Sequence, residues 1–333
     1  LKTWAFRENA EGELLIPDGF SQAFPSGSAV ALGYFDGVHR GHRKLFSQLK
    51  TAARLKGVKT VAHTFSNTPK SKVFSTGGDG LITTLSERCS LIHAAGIEDV
   101  AVFPFSDSLS SMKAIDFLDE YVGRLLKATV VVAGEDYHFG ANREGNSSFL
   151  IDWAKHLGIE AILVPAEMHE GRVISSSWIR NSILEGDMDT ASKLLGRPVV
   201  YEGEVMVGRG LGGTLGFPTA NIGIPSGKVN PAFGVYISLM QVGGEIYRSI
   251  SNIGLRPTVT EGEGHPLIET MALGVTLKLY GEKISVYPIR RIREEQRFTS
   301  LSDLRNQIRS DVDIATAFHN DHPDYSIFLT DML

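Results

Sequence analysis

Hydrophobic positions in the first half of the chain alternate between short apolar runs and stretches with helical spacing. Ser28 to Phe35 is an apolar run that reaches a glycine, and Val38 to Lys56 follows with Leu45, Phe46, Leu49, Ala52, Ala53 and Leu55 on one helical face. Further strands are predicted at Val58 to Phe65, Val100 to Phe105, Ala128 to Ala133 and Ile159 to Val164, with helices at Ser86 to Ala95 and Met112 to Leu125 between them. Such alternation predicts a parallel sheet covered on both faces, with ligands outside the carboxyl ends of its strands. After a helical piece at Met188 to Leu195 the character changes at Gly196-Arg197-Pro198. From there β-like runs dominate: Val199 to Val207, Val235 to Val242, Ile246 to Ile253, Glu269 to Leu279 and Lys283 to Ile289. A closed β-barrel is the economical arrangement for them, because closure removes unpaired edges. Leu301 to Ile308 predicts a terminal helix packed outside it.

A length of 333 residues suits two domains, placed here at residues 1–186 and 187–333. With 42% hydrophobic and 21% charged residues the chain reads as globular, and its 35 glycines imply many turns or close backbone approaches. The 33 basic against 38 acidic residues give no electrostatic footprint for nucleic acid and favour small-molecule partners. Cys89 is the only cysteine, which excludes an intrachain disulfide framework and a clustered thiolate metal site. Neither a long apolar run nor a secretory leader is visible, so no membrane partner is expected and a cytoplasmic location is the expectation. Oligomerisation is not readable from the sequence.

The candidate chemistry begins at Gly33 to His42, GYFDGVHRGH, where two histidines three residues apart, His39 and His42, sit between a strand end and a helix start. Backbone N–H groups at a helix start attract phosphate, Gly37 and Gly41 permit close approach, and the imidazoles can donate to phosphoryl oxygens as charge develops. Ser175, Ser176 and Ser177 precede a helix and read equally as N-cap residues or phosphate contacts, with Arg180 one turn further on. In the second half, Gly208 to Gly216 packs five glycines into nine residues, a phosphate-cradling loop or a plain turn. It runs into Pro218-Thr219-Ala220-Asn221.

These segments resemble the bacterial bifunctional riboflavin kinase/FAD synthetases. GYFDGVHRGH is similar to the FDGVHxGH form of the HxGH signature, and Leu81 to Val100 resembles the family stretch that begins LTTLxEK. Val131 to Gly140, VVAGEDYHFG, resembles the VxGxDFxFG loop, and Ile174 to Arg180, ISSSWIR, resembles ISSTxIR. GFPTAN, NIGLRPTV at Asn252 to Val259, and the Arg290 to Phe298 segment resemble the kinase motifs PTAN, NIGxRPTF and LRxExKF.

The resemblance implies a fold of α/β plus all-β class: a Rossmann-like nucleotidyltransferase sheet followed by a riboflavin-kinase-like barrel and a terminal helix. It implies that the barrel phosphorylates riboflavin to FMN with ATP, and that the first domain adenylylates FMN to FAD with release of pyrophosphate. His39, His42 and Arg180 are the implied catalytic residues of the second reaction. Gly33, Phe35, Asp36, Gly37, Gly41, Asp136, Phe139 and Ser175 to Ser177 are its implied nucleotide and flavin contacts. For the kinase, the resemblance implies Glu269 as the base for the riboflavin 5′-hydroxyl, Thr219 and Asn221 as ligands of Mg²⁺, and Gly208, Gly210, Gly212, Gly216, Pro218 and Arg291 as further contacts.

Three segments depart from the family pattern. His63 to Lys70, HTFSNTPK, replaces a TFDPHP-like loop, and His63 itself reads as a packing or solvent-facing residue. Gly212-Gly213 stands where a Gly-Arg pair is common, and Glu269 to Gly281 lacks the aspartates of the usual strand. The alternatives these departures raise are an adenylyltransferase with a kinase-inactive barrel and a non-catalytic flavin-binding protein.

Overall fold

The computed structural model of the protein describes residues 1–67, 80–206, 216–256 and 265–323. The chain divides into two compact units, Leu1–Ser75 with Thr83–Ser175, and Thr76–Ile82 with Ser176–Leu333.

The first unit is built on six parallel strands: β1 (Lys2–Ala5), β2 (Ser28–Leu32), β3 (Lys59–Phe65), β4 (Asp99–Phe103), β5 (Ala128–Gly134) and β6 (Glu160–Val164). They lie side by side in the order β1-β4-β3-β2-β5-β6. Strand β2 is buried along its whole length, because its alternate residues enter two different cores. Ala29 and Ala31 face helix α1 (Arg40–Lys56) and helix α2 (Leu85–Ala94), while Val30 and Leu32 face Phe103, Phe117 and Tyr121 on the other side. A strand covered on both faces needs a continuous apolar run, which is what the sequence supplies.

Three local features of this unit go beyond the sequence pattern. Lys2–Ala5 adds an edge strand beside β4, fixed where the Trp4 indole donates to the Asp99 carboxylate at 2.7 Å. Phe6, Phe20 and Phe24 join Trp4 in the core on that side. The helix expected from Met112 is a short α-helical piece, Ala114–Phe117, that widens into a π-helix over Leu118–Leu125.

The second unit holds an antiparallel sheet of β7 (Tyr201–Glu204), β8 (Ala220–Gly223), β9 (Gly234–Val242), β10 (Glu245–Arg256), β11 (His265–Ala272) and β12 (Lys283–Arg293). Its order is β7-β12-β9-β10-β11-β8, and a bridge between Met206 and Asn221 brings the two edges together into a nearly closed barrel. Val235, Ile237, Leu239, Ile250 and Ile289 pack outward against Ala315 and Phe318 of a terminal helix, Leu301–Asp321. Residues of the opposite face are also buried, and there Ser238, Ser249, Ser251 and Thr270 join their hydroxyls across three strands at 2.7–2.8 Å. Satisfying one another's hydrogen bonds is what lets these hydroxyls be buried.

Two barrel elements differ from the expected bounds. The strand expected over Glu269 to Leu279 is His265–Ala272, and the chain turns away at Gly274, whose φ of +75° breaks the extended run. The terminal helix continues well past Ile308 because Val312, Ala315 and Phe318 prolong the apolar stripe.

Candidate active sites

The strand order of the first unit reverses between β2 and β5, and the crevice beyond the carboxyl ends of those two strands is where open α/β sheets bind ligands. Both motif loops of this unit start there. After Leu32 the backbone turns sharply, with φ of +60° at Phe35, +79° at Gly37 and +41° at Val38. Non-glycine residues hold such angles only when their surroundings compel them, and the compulsion is visible. Phe35 is buried against Phe46, and a Cβ on Gly33 would lie 2.6 Å from the Phe35 ring. Asp36 is buried too, with its Oδ1 accepting from the Thr83 N–H at 3.1 Å and the Thr83 hydroxyl at 3.2 Å, while the Gly37 N–H donates to that hydroxyl. Asp36 thus ties the turn to the segment before α2.

The turn delivers His39 to the N-cap of α1. Its Nδ1 accepts from the His42 N–H at 3.4 Å, and the two imidazoles stack with centroids 3.5 Å apart. With Nδ1 accepting, the proton of the neutral His39 ring belongs on Nε2, which makes Nε2 the donor. A Cβ on Gly41 would sit 3.2 Å from the His39 ring, so a larger residue there would make the ring shift by a few tenths of an ångström. Arg40 and Lys44 on the first turns of α1 both reach Glu167, at 3.1 and 3.4 Å.

Behind the turn, the Thr64 hydroxyl donates to the Tyr34 carbonyl at 2.7 Å. The Arg88 guanidinium lies over the Tyr34 ring at 4.4 Å and donates to the Phe65 carbonyl. These contacts pin the ends of β2 and β3 together. Thr83, Arg88 and Glu167 were not singled out from sequence; Thr83 and Arg88 fall inside the LTTLxEK-like stretch, whereas Glu167 carries no motif signal.

After β5, Asp136 is exposed at the bend and Phe139 is buried, exchanging backbone hydrogen bonds with Gly145 at 3.0 and 3.1 Å. Tyr137 stacks on Phe139 with centroids 5.4 Å apart, and burial pushes the Tyr137 phenol well above its usual pKa. His63 is fully buried among Phe65, Phe103 and Phe117, with no hydrogen-bond partner for either ring nitrogen, and burial holds its pKa down to about 3. It is a packing residue, neutral at physiological pH.

Ser175 ends the first unit, and Ser176–Glu185 is the first long helix of the second. There the Arg180 Nε donates to the Gly80 carbonyl at 2.9 Å. Gly80 passes so close to the backbone of Lys228 that a Cβ would fall 2.2 Å from it.

In the barrel, Asn221 on β8 and Asn252 on β10 both pair in register with Glu269 on β11. The neighbours of Glu269, Ile268 and Thr270, are buried while Glu269 is exposed, and the register puts the three polar residues in one row on the same side of the sheet, with Asn221 buried and Asn252 half-buried. A pocket of about 130 Å³ adjoins the start of β8, lined by Pro218, Thr219, Thr270, Ala272, Lys278 and Tyr280. Gly216, with φ of +87°, leads into it. Gly208, Gly210, Gly212 and Gly213 lie outside the described residues. Arg291 stands apart from this row, donating to the Phe233 carbonyl and packed beside Gly186 and Gly234.

Residues 21–178 match the FAD synthetase family model and residues 195–319 the riboflavin kinase model. The chain is 32% identical over 297 residues to the bifunctional riboflavin kinase/FMN adenylyltransferase of Buchnera aphidicola, covering 89% of this chain and 95% of the relative. It is 35% identical over 289 residues to the Bacillus subtilis protein of the same name, covering 85% and 90%. The chain belongs to the bifunctional riboflavin kinase/FMN adenylyltransferase family. A solved Streptococcus pneumoniae structure described as a macrolide-efflux protein is also similar, at 32% identity and a TM-score of 0.79, covering 89% of this chain and 96% of that one. No helix among the described residues is long and apolar enough to cross a membrane.

The two residue sets differ in the chemistry that their groups could carry. The stacked histidines at the start of α1 suit an adenylyltransferase, which must stabilise charge on phosphoryl oxygens. The Asn221–Glu269–Asn252 row suits a kinase, which must orient a neutral hydroxyl and take its proton. The Thr219 hydroxyl and Asn221 amide are hard oxygen donors of the kind Mg²⁺ accepts, beside a carboxylate.

Proposed function

We propose that the two reactions run at these two residue sets: FMN adenylylation at the His39–His42 turn of the first unit, and riboflavin phosphorylation at the row centred on Glu269. The observation that carries the assignment is the register of β8 and β11, which brings the Asn of the Pro-Thr-Ala-Asn segment directly opposite the exposed carboxylate. A neutral hydroxyl and a phosphate need different help, and the two sites differ in that respect.

In the barrel, Glu269 accepts the proton of the riboflavin 5′-hydroxyl as its oxygen attacks the γ-phosphorus of ATP, and ADP leaves. Thr219 and Asn221 would hold Mg²⁺, which would supply neutralising charge to the transferring phosphate. Gly274 and Lys278, at the positions of the missing aspartates, lie beyond Ala272, the last residue of β11, and so outside the Glu269 row. The substitutions in this segment therefore leave the base and its neighbours in place.

In the first unit an oxygen of the FMN phosphate attacks the α-phosphorus of ATP in line, and pyrophosphate leaves. The nucleophile is already ionised, so no base is assigned. His39 through Nε2–H, His42 and the amides at the start of α1 stabilise the phosphoryl oxygens. Gly37 lets the nucleotide approach the backbone, Gly33 and Gly41 leave room for the Phe35 and His39 rings, and the Tyr137–Phe139 loop offers aromatic surface to the flavin. Ser175, at the end of the first unit, supplies a further phosphate contact. The substrates are the small molecules ATP, riboflavin and FMN.

The test is chromatography of flavins after incubating the chain with Mg²⁺ and ATP, in parallel with riboflavin or with FMN. FAD from both, with riboflavin consumed, is the expected result. FAD from FMN alone would leave the barrel without its kinase role, and FAD from neither would overturn both assignments.

A further inference from the structure

The Asn252 amide, which stands beside Glu269 in the row, is itself held from the far side. Its Nδ2 donates to Glu295 Oε1 at 3.2 Å. The same carboxylate lies across the backbone of Gly254, where a Cβ would fall 2.0 Å from Oε1 and 2.8 Å from Oε2. The glycine two residues beyond Asn252 is thus the space that the Glu295 carboxylate occupies.

Glu295 lies outside the regular strands yet is anchored through its neighbours. Arg293, at the end of β12, makes a two-pronged ion pair with Asp311 of the terminal helix, with Nε at 3.0 Å from both oxygens and Nη2 at 2.7 Å from Oδ2. Both side chains are largely buried, and the Gln307 amide completes Asp311 at 2.9 Å. The remaining prong of Arg293, Nη1, turns back to donate to the Glu294 carbonyl at 2.8 Å, fixing the peptide that precedes Glu295. A continuous path of hydrogen bonds and covalent neighbours runs from Asp311 through Arg293 and Glu295 to Asn252, next in register to Glu269.

We propose that Glu295 is a positioning residue for riboflavin phosphorylation: it fixes the Asn252 amide, and Asn252 in turn fixes the direction of the Glu269 carboxylate toward the substrate hydroxyl. The proposal rests on Glu269 being the base. General-base transfer requires the Glu269 carboxylate in a rotamer within hydrogen-bond reach of the hydroxyl. Flanking amides that are themselves immobilised help to select that rotamer, and misplacement of a reacting group by about 1 Å can cost about 10²-fold in rate.

The experiment measures steady-state riboflavin phosphorylation by the full chain carrying E295A, E295Q, N252A, the E295A/N252A double substitution, G254A and E269Q. Far-UV circular dichroism and thermal unfolding of the same preparations, followed through the barrel's transition, report whether the second unit of each protein is folded. For E295A and N252A, kcat is expected to fall about tenfold with KM for riboflavin and ATP within about threefold of the parent, since orientation and not binding is lost. The double variant is expected to be no slower than either single one, because both remove the same link. E295Q, whose amide oxygen accepts the same N–H, should keep most of the rate. G254A, which displaces the carboxylate without altering it, should behave like E295A. Kinetic constants of E295A within twofold of the parent, a loss that E295Q does not restore, or additive losses in the double variant would each overturn the proposal. E269Q separates the two levels: full kinase activity in E269Q removes the base assignment itself, whereas an inactive E269Q beside a fully active E295A removes only the positioning role.

Discussion

Asn221 and Glu269 are cross-strand partners on β8 and β11, so one carboxylate and one amide of the kinase row are set opposite each other by backbone pairing alone. Because Asn221 belongs to the pair assigned to the metal, N221A should raise the Mg²⁺ concentration for half-maximal riboflavin phosphorylation by roughly tenfold or more, as losses around metal sites do. FMN adenylylation in the same protein should keep its Mg²⁺ dependence. A magnesium titration of both reactions checks this.

The His39 ring is seated tightly against Gly41, since a Cβ there would be 3.2 Å from both Cε1 and Nδ1 and the ring would have to give way by a few tenths of an ångström. G41A should therefore push the stacked imidazoles out of place and lower kcat for FAD formation by about tenfold, with riboflavin phosphorylation unchanged. Single-turnover FAD formation from FMN is the direct readout.

His63 makes the first unit sensitive to acid. Its folded pKa is about 3 against an ordinary value of 6.5, so the unfolded chain takes up a proton that the native state refuses. The associated stability is fully present above about pH 6.5 and is lost as pH falls toward 3, at a limiting slope of about 1.4 kcal/mol per pH unit. H63L should flatten that dependence and raise stability near pH 5, because it also removes two buried ring nitrogens that have no partner. Urea unfolding of parent and variant between pH 4 and 7, followed by signals of the first unit, measures the difference.

The Arg293–Asp311 pair is the buried charge contact between β12 and the terminal helix. Removing one partner strands the other, so R293M should destabilise the barrel by roughly 3–5 kcal/mol, while R293M/D311L should recover much of that loss. Thermal unfolding of the three proteins decides it.

The parts of this protein that are legible in its sequence are those in which neighbouring residues carry the signal. Strand β2 announces itself because both of its faces are buried, and the GYFDGVHRGH turn because its glycines and histidines are adjacent. Strand β8 is hidden: Ala220–Gly223 is short, holds an asparagine and a glycine, and follows a proline turn, so nothing in it alternates. The opposite error occurs at Leu273 to Leu279, where apolar and polar residues do alternate but Gly274 takes the chain out of the sheet. The Asp36–Thr83 bonds and the contact of Glu295 with Asn252 join residues 47 and 43 positions apart, and only the folded chain brings them together. Asp36 was legible as part of a motif, yet its Oδ1 is bonded to Thr83 within the protein, a role that no local pattern reveals.

The central claim is that the two reactions belong to two separate residue sets on one chain, and the most direct test is flavin chromatography of E269Q and H42A. Given riboflavin, Mg²⁺ and ATP, E269Q should form neither FMN nor FAD, its phosphorylation falling by about 10²–10⁴-fold, yet convert supplied FMN to FAD at the parent rate. H42A should turn riboflavin into FMN and stop there, with FAD formation lowered by about 10²–10³-fold. Mixing the two variants should restore FAD synthesis from riboflavin. Both reactions lost in either single variant, or both retained, would contradict the assignment.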